Sequence, residues 1–156
     1  MISRIVSLFL LIFLPVSITV GQVPLSTSKS ASASVKGKKH HTQVQLISSV
    51  KAVKVGSTFT VGILMNMDAG WHTYWKNGGE AGLPTEVTWK LPKGFTAGEI
   101  QWPLPQKYNE TGEVLTYGYA GENMLLVDIS VSAGVSVGSS ATLHADVEWL
   151  ECENIC

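Results

Sequence analysis

The sequence predicts an all-β domain, a two-sheet antiparallel sandwich, and three observations carry that expectation. The first is strict alternation. Phe59, Val61, Ile63, Met65 and Met67 interleave with Thr60, Gly62, Leu64 and Asn66. Leu125, Val127, Ile129 and Val131 form a second such set, and Ala141, Leu143, Ala145, Val147 and Trp149 a third, set against Thr142, His144, Asp146 and Glu148. A period of two puts each set on one side of a strand. The second observation is punctuation: Val55-Gly56-Ser57, Asn77-Gly78-Gly79, Pro92-Lys93-Gly94, Gly121-Glu122-Asn123 and the stretch 134–139 are turn signals. The third is that no stretch sustains a helical period. Shorter strands are expected over 43–49, 71–75, 86–91, 99–102 and 114–119. Seven or eight short strands with regular turns make a sandwich of immunoglobulin-like outline. Such a sandwich ordinarily adds a strand after its last long one. With the sequence closing at Cys156, the domain is expected to be C-terminally incomplete, or else to leave a sheet edge open.

Composition bounds the function. A chain of 156 residues, 45% hydrophobic and 15% charged, can bury the core of one domain. Its net charge of −1 gives no electrostatic footprint for nucleic acid. Residues 1–21 read as a signal peptide: Arg4 supplies a short basic start, 5–16 is an apolar run, and Thr19-Val20-Gly21 offers small residues for cleavage before Gln22. Pro15, Ser17 and Thr19 interrupt a run already shorter than the ~20 residues of a membrane span. Export to an oxidising compartment permits a disulfide. Residues 22–41, rich in Ser, Ala and Lys, read as a flexible linker. Lys36, Lys38 and Lys39 beside His40 and His41 are weighed as a lipid or metal contact and taken as a solvated linker. The folded domain is expected over 42–156.

The two cysteines, Cys152 and Cys156, lie four residues apart. A disulfide needs Cα atoms about 4.4–6.8 Å apart, whereas four residues of extended chain span roughly 13 Å. The bond closes only if the strand ends near Cys152 and Glu153-Asn154-Ile155 turn, which Asn154 suits. As a staple it is weak. A five-residue loop removes about 2 kcal/mol of unfolded-state entropy, against about 4.7 for a hundred-residue loop. Spacing therefore leaves a redox pair and a structural bond both open. A metal site needs ligands beyond the two cysteines. His144 faces away from the apolar set of its strand, and His40, His41 and His72 have no fixed relation to the pair, so no metal ligand is assigned and no cofactor is expected. No Cys/His/Asp arrangement supports nucleophilic hydrolysis. Asp146, Glu148, Glu151 and Glu153 surround the thiols, with no Lys or Arg after Lys107. Those carboxylates are expected to disfavour a thiolate and to hold the reactive pKa at or above the free value of about 8.5.

A set of ordered motifs then resembles a known family. Gly70-Trp71-His72-Thr73-Tyr74-Trp75-Lys76-Asn77, Ala81-Gly82-Leu83-Pro84, Ile100-Gln101-Trp102-Pro103, Tyr117-Gly118-Tyr119 and the closing Trp149-Leu150-x-Cys152-x3-Cys156 are similar to the N-terminal periplasmic domain of DsbD/ScsB-type thiol:disulfide interchange proteins, also called the disulfide bond corrector domain. The resemblance covers roughly 44–156. It implies an immunoglobulin-like sandwich with one redox-active cysteine pair, here Cys152 and Cys156, of which the second forms the mixed disulfides. It also implies a mobile cap loop with an aromatic residue, which falls in 103–114 with Tyr108 as the nearest match. Trp71 and Tyr74 are the further shielding candidates, in the segment where the family sets aromatics beside the site; plain core and sheet packing is the favoured reading of that segment.

The resemblance implies reduction by a thioredoxin-like domain of the same or a partner protein, and delivery of electrons to a periplasmic disulfide isomerase or other thiol protein, a traffic tied to cytochrome c biogenesis. It implies periplasmic residence, with membrane attachment only through a C-terminal region that the sequence lacks. The best-studied branch spaces its cysteines further apart, so its loop geometry does not transfer. The alternative from another class is an exported β-sandwich binding module, copper-handling or protein-interacting, with a structural disulfide.

Overall fold

A computed structural model describes residues 22–26 and 40–153 of the chain. The expected signal peptide over 1–21, the middle of the expected linker and Cys156 lie outside the described residues. Thirteen strands and no helix make up the described part: β1 (Gln22–Ser26), β2 (Thr42–Ser48), β3 (Ala52–Lys54), β4 (Thr58–Met67), β5 (His72–Gly79), β6 (Glu86–Lys90), β7 (Phe95–Gln101), β8 (Gln106–Asn109), β9 (Leu115–Ala120), β10 (Glu122–Val131), β11 (Ala141–Thr142), β12 (His144–Glu148) and β13 (Glu151–Cys152). The protein is all-β, an immunoglobulin-like antiparallel sandwich.

One sheet has the order β2-β4-β10-β7. The alternating sets of β4 and β10 pair in register, Ile63 against Leu125 and Val61 against Val127. Their common face is the heart of the core: Val61, Ile63, Met65, Leu125, Val127 and Ile129 are all essentially inaccessible to water. Burying each such side chain stabilises the fold by about 1.5–3 kcal/mol, so this pair of strands anchors the sandwich. The opposite sheet, β13-β5-β9-β8, faces that core through Thr73 and Tyr119, which are paired neighbours on β5 and β9. Thr73 directs its hydroxyl to Met67 Sδ, and Tyr119 packs in the apolar cluster while its hydroxyl donates to Pro103 O at 2.8 Å.

Three expectations need correction. The single strand read over 141–149 is divided: β11 runs parallel to β1, whereas β12 pairs antiparallel with β6, and Leu143 sits buried at the break. Alternation persists through the break because the inner face stays the inner face while the hydrogen-bonding partner changes. Gln22–Ser26, inside the expected linker, forms β1 and pairs with β3 and β11. His40 and His41 also belong to the folded body. His41 stacks on Trp71, ring centroids 3.8 Å apart, and its Nδ1 is 3.0 Å from Asp68 Oδ2. Its amide donates to Glu151 Oε1, 110 residues on. These partners lie far away in sequence, so local composition gave no sign of them.

Candidate active site

Side chains paired across an antiparallel ladder share a face, and the register of β13-β5-β9-β8 therefore assembles one outer surface. Cys152 stands opposite His72, which stands opposite Ala120. Tyr74 stands opposite Gly118, and Thr116 opposite Tyr108. Two glycines make this surface possible. A Cβ on Gly118 would lie 2.0 Å from Thr73 O, so only glycine lets β9 approach β5 here. A Cβ on Gly82, at φ +98°, would lie 2.2 Å from the Tyr74 ring, so the Ala81-Gly82-Leu83-Pro84 segment covers that ring by backbone alone.

The outer face is nevertheless buried, because the β8–β9 hairpin folds over it. Its loop closes with Glu110 N–H donating to Val114 O at 2.8 Å, and it turns through Gly112 and Glu113, both at positive φ. Glu110 is thereby carried inward, its side chain only 8% exposed. Its Oε1 accepts from Thr116 Oγ1 at 2.7 Å and from Tyr74 Oη at 3.3 Å, and lies 3.3 Å from His72 Nε2. His72 Nε2 is also 3.3 Å from Tyr74 Oη. Burial pushes the Tyr74 hydroxyl up to about 12, reinforced by the charge of Glu110 and the hydrogen bond to it. An isolated buried carboxylate is costly; here hydrogen-bond donors on two strands offset the cost.

Cys152 closes this network. It is 2% exposed, and its sulfur, a ring nitrogen of His72 and a carboxylate oxygen of Glu110 lie within 4.8 Å of one another. Cys152 is disulfide-bonded. Tyr108 lies over the group, its ring stacked on that of His72 with centroids 5.0 Å apart and 14° between planes. A cleft of about 330 Å³ opens beside them, lined by Trp71, His72, Tyr108, Glu110 and Glu153 among others.

Tyr108 and Tyr74 thus both contact His72, whereas Trp71 reaches the cleft wall and spends its ring face on His41. Within the segment expected to be a cap loop, residues 106–109 are the strand β8, so the cover is a hairpin stitched to β9. The electrostatic expectation also changes. Glu151 is held by other partners: burial raises its carboxyl, but hydrogen bonds from the His41 amide and the Trp149 indole, with His40 nearby, hold it below the usual range. Asp146 pairs with Lys90 at 2.6 Å. Glu110 brings a carboxylate and His72 a ring close to the sulfur; neither was assigned to the site from sequence. Period two within 71–75 put His72 and Tyr74 on one face, and that signal was available. Nothing local marked Glu110 or Thr116.

A family described as "Thiol:disulfide interchange protein DsbD, N-terminal" matches residues 43–156. No curated protein matches the chain by sequence. Among solved structures, the fold is similar to the crystal structure of the N-terminal periplasmic domain of ScsB from Proteus mirabilis, with a TM-score of 0.55 and 22% identity. The match covers 76% of this chain and 43% of that one, so the chain spans less than half the length of that structure. No helix among the described residues is long and apolar enough to cross a membrane.

Proposed function

Since the chain belongs to the family of DsbD N-terminal thiol:disulfide interchange domains, we propose that Cys152 and Cys156 form its redox-active pair and pass reducing equivalents from a thioredoxin-like donor to disulfide-bonded proteins of the periplasm. The observation that carries this reading is the setting of Cys152. It is disulfide-bonded, buried at the end of a two-residue strand, and set against His72 under the ring of Tyr108, in a chain whose other cysteine is Cys156. A bond across five residues fastens nothing distant, so its use is chemical rather than structural.

The exchange needs no cofactor. A donor thiolate attacks Sγ of Cys156, the Cys152–Cys156 bond breaks, and the Cys152 sulfur leaves as a thiolate that takes up a proton. The donor's second thiolate then attacks the donor sulfur of the mixed disulfide. That releases the donor as a disulfide and the domain as a dithiol, two electrons richer. Delivery to a substrate disulfide runs through the same two steps in reverse roles. Cys152, at 2% exposure, is shielded from an incoming partner, which supports Cys156 as the attacked atom. Tyr108 and Tyr74 hold the cover in place over the resting disulfide, and Trp71 shapes the wall of the approach. The domain is exported by its first 21 residues and works in the periplasm.

The test is reduction by a thioredoxin-like protein. Wild-type chain mixed with a reduced donor is expected to yield the dithiol domain and oxidised donor in equal amounts. A pair that stays oxidised while the donor stays reduced contradicts the reading.

A further inference from the structure

Three metal-ligand atoms of different chemistry meet at the candidate site. His72 Nε2 and Glu110 Oε1 are 3.3 Å apart. Two nitrogen or oxygen donors at about 2.0–2.1 Å from a tetrahedral zinc are separated by roughly the same distance. Cys152 Sγ lies within 4.8 Å of a ring nitrogen of His72 and a carboxylate oxygen of Glu110. The supporting shell is already built: Thr116 and Tyr74 donate to Glu110 Oε1, which fixes the carboxylate in the way outer partners fix metal ligands. The residues are nearly sealed from bulk water, yet the cleft beside Trp71 and Tyr108 gives an entry path.

We propose that the dithiol form of the domain binds one divalent cation of the zinc class through the Cys152 thiolate, His72 Nε2 and the Glu110 carboxylate, and that oxidation of the pair expels it. The proposal rests on the redox reading for its physiological switch, because only reduction frees the Cys152 sulfur. Mixed sulfur, nitrogen and oxygen donors select a borderline cation. Magnesium and calcium take oxygen donors, and monovalent copper prefers sulfur. Binding exchanges a proton for the metal: the Cys152 thiol loses its hydrogen to solvent as the sulfur–metal bond forms. Water completes four-coordination. When a disulfide-bonded partner takes two electrons from the pair, the thiolate becomes half of a disulfide, the site loses its anionic sulfur, and the cation leaves. A metal-bound thiolate is also withheld from exchange, so the cation competes with electron delivery.

The experiment uses the whole chain, reduced with a phosphine that leaves metals free and kept anaerobic. It is titrated with cobalt and then with zinc against a chromophoric chelator. The expected result is one metal per dithiol chain, with a sulfur-to-cobalt charge-transfer band and tetrahedral ligand-field bands. The disulfide form is expected to bind at least ~100-fold more weakly. Glu110→Gln and His72→Gln should each weaken binding by roughly 10–100-fold, the loss seen even for outer-shell partners. X-ray absorption on the zinc-loaded wild type, which needs no variant to fold, should show sulfur and imidazole scattering. Equal affinity in the disulfide form, affinity unchanged in both variants, or a shell without sulfur would each overturn the proposal. Chemical reduction bypasses the donor, so a failure of donor exchange contradicts the redox reading and leaves the metal result standing on its own.

Discussion

His72 and Cys152 stand directly opposite each other in the antiparallel ladder of β5 and β13, and both are buried. The pairing places an imidazole beside a disulfide sulfur by backbone register alone, before any side-chain preference acts. Everything distinctive about the site follows from what else reaches that face: Tyr74 further along β5, Thr116 and Tyr108 through β9 and β8, and Glu110 from their connecting loop.

Cys156 is expected to trap the partner. Cys152→Ser leaves the attacked thiol in place and should accumulate a mixed disulfide with a thioredoxin-like donor. Cys156→Ser, which leaves only the buried sulfur, should not. Non-reducing electrophoresis reads the adduct, and equal trapping by both variants would sink the assignment.

Thr116→Val removes the 2.7 Å hydrogen bond to Glu110 and leaves a buried carboxylate short of a donor. A hydrogen bond to a charged group contributes about 1.5–3 kcal/mol, and a loss of that size is expected in urea unfolding. A variant as stable as wild type would mean that the hairpin is not held down through Glu110.

Gly118→Ala should be worse, since the new methyl would meet the Thr73 carbonyl at 2.0 Å. Backbone must move apart where β5 and β9 carry the site, at an expected cost of about 3 kcal/mol or more. Amide hydrogen exchange should show faster opening of β5 and β9, with β4 and β10 unchanged. Uniform protection across both sheets would contradict the close approach.

Alkali should destabilise the domain through two phenols. Burial pushes both Tyr74 and Tyr119 up to about 12, whereas the unfolded chain ionises tyrosine near about 10. Both states are protonated at neutral pH. Above about 10 the unfolded state sheds protons that the fold retains, so stability is full below that pH and falls as it rises toward about 12. Glu151 acts at the other end: its lowered carboxyl contributes stability above the ordinary carboxylate range that is lost as acid protonates it. Denaturant midpoints across pH, with tyrosinate absorbance, check both limbs. A midpoint unchanged between about pH 9 and 11.5 would contradict the alkaline one.

Much of the fold was legible because the two central strands keep an apolar residue at every second, inward position. Phe59 to Met67 and Leu125 to Val131 present the faces their period predicts. Short strands were not legible. β3, β8 and β13 have three, four and two residues, too few for a period, and exist because neighbouring strands offer hydrogen bonds. The site divides in the same way. The cysteines and the aromatic segment stood out by residue type and motif, and Tyr108 by its order in the chain. Glu110 joins the site only through the turn after Asn109 and Thr116 through the pairing of β9 with β8, and Glu151 was misread because its partners, His41 and Trp149, are set by tertiary contacts.

The central claim, that the cysteine pair exists to be opened and closed, is tested most directly by equilibrating the chain in glutathione redox buffers, with thiols counted by alkylation and folding followed by tryptophan fluorescence. A five-residue loop contributes only about 2 kcal/mol, and a domain of this kind has about 5–15 kcal/mol of stability, so the dithiol form should stay folded. The account predicts one two-electron transition, about 30 mV per tenfold change in the equilibrium, at a potential above about −300 mV. A pair that resists reduction below that potential, or a domain that unfolds cooperatively at room temperature once reduced, would make the disulfide a structural bond and contradict the account.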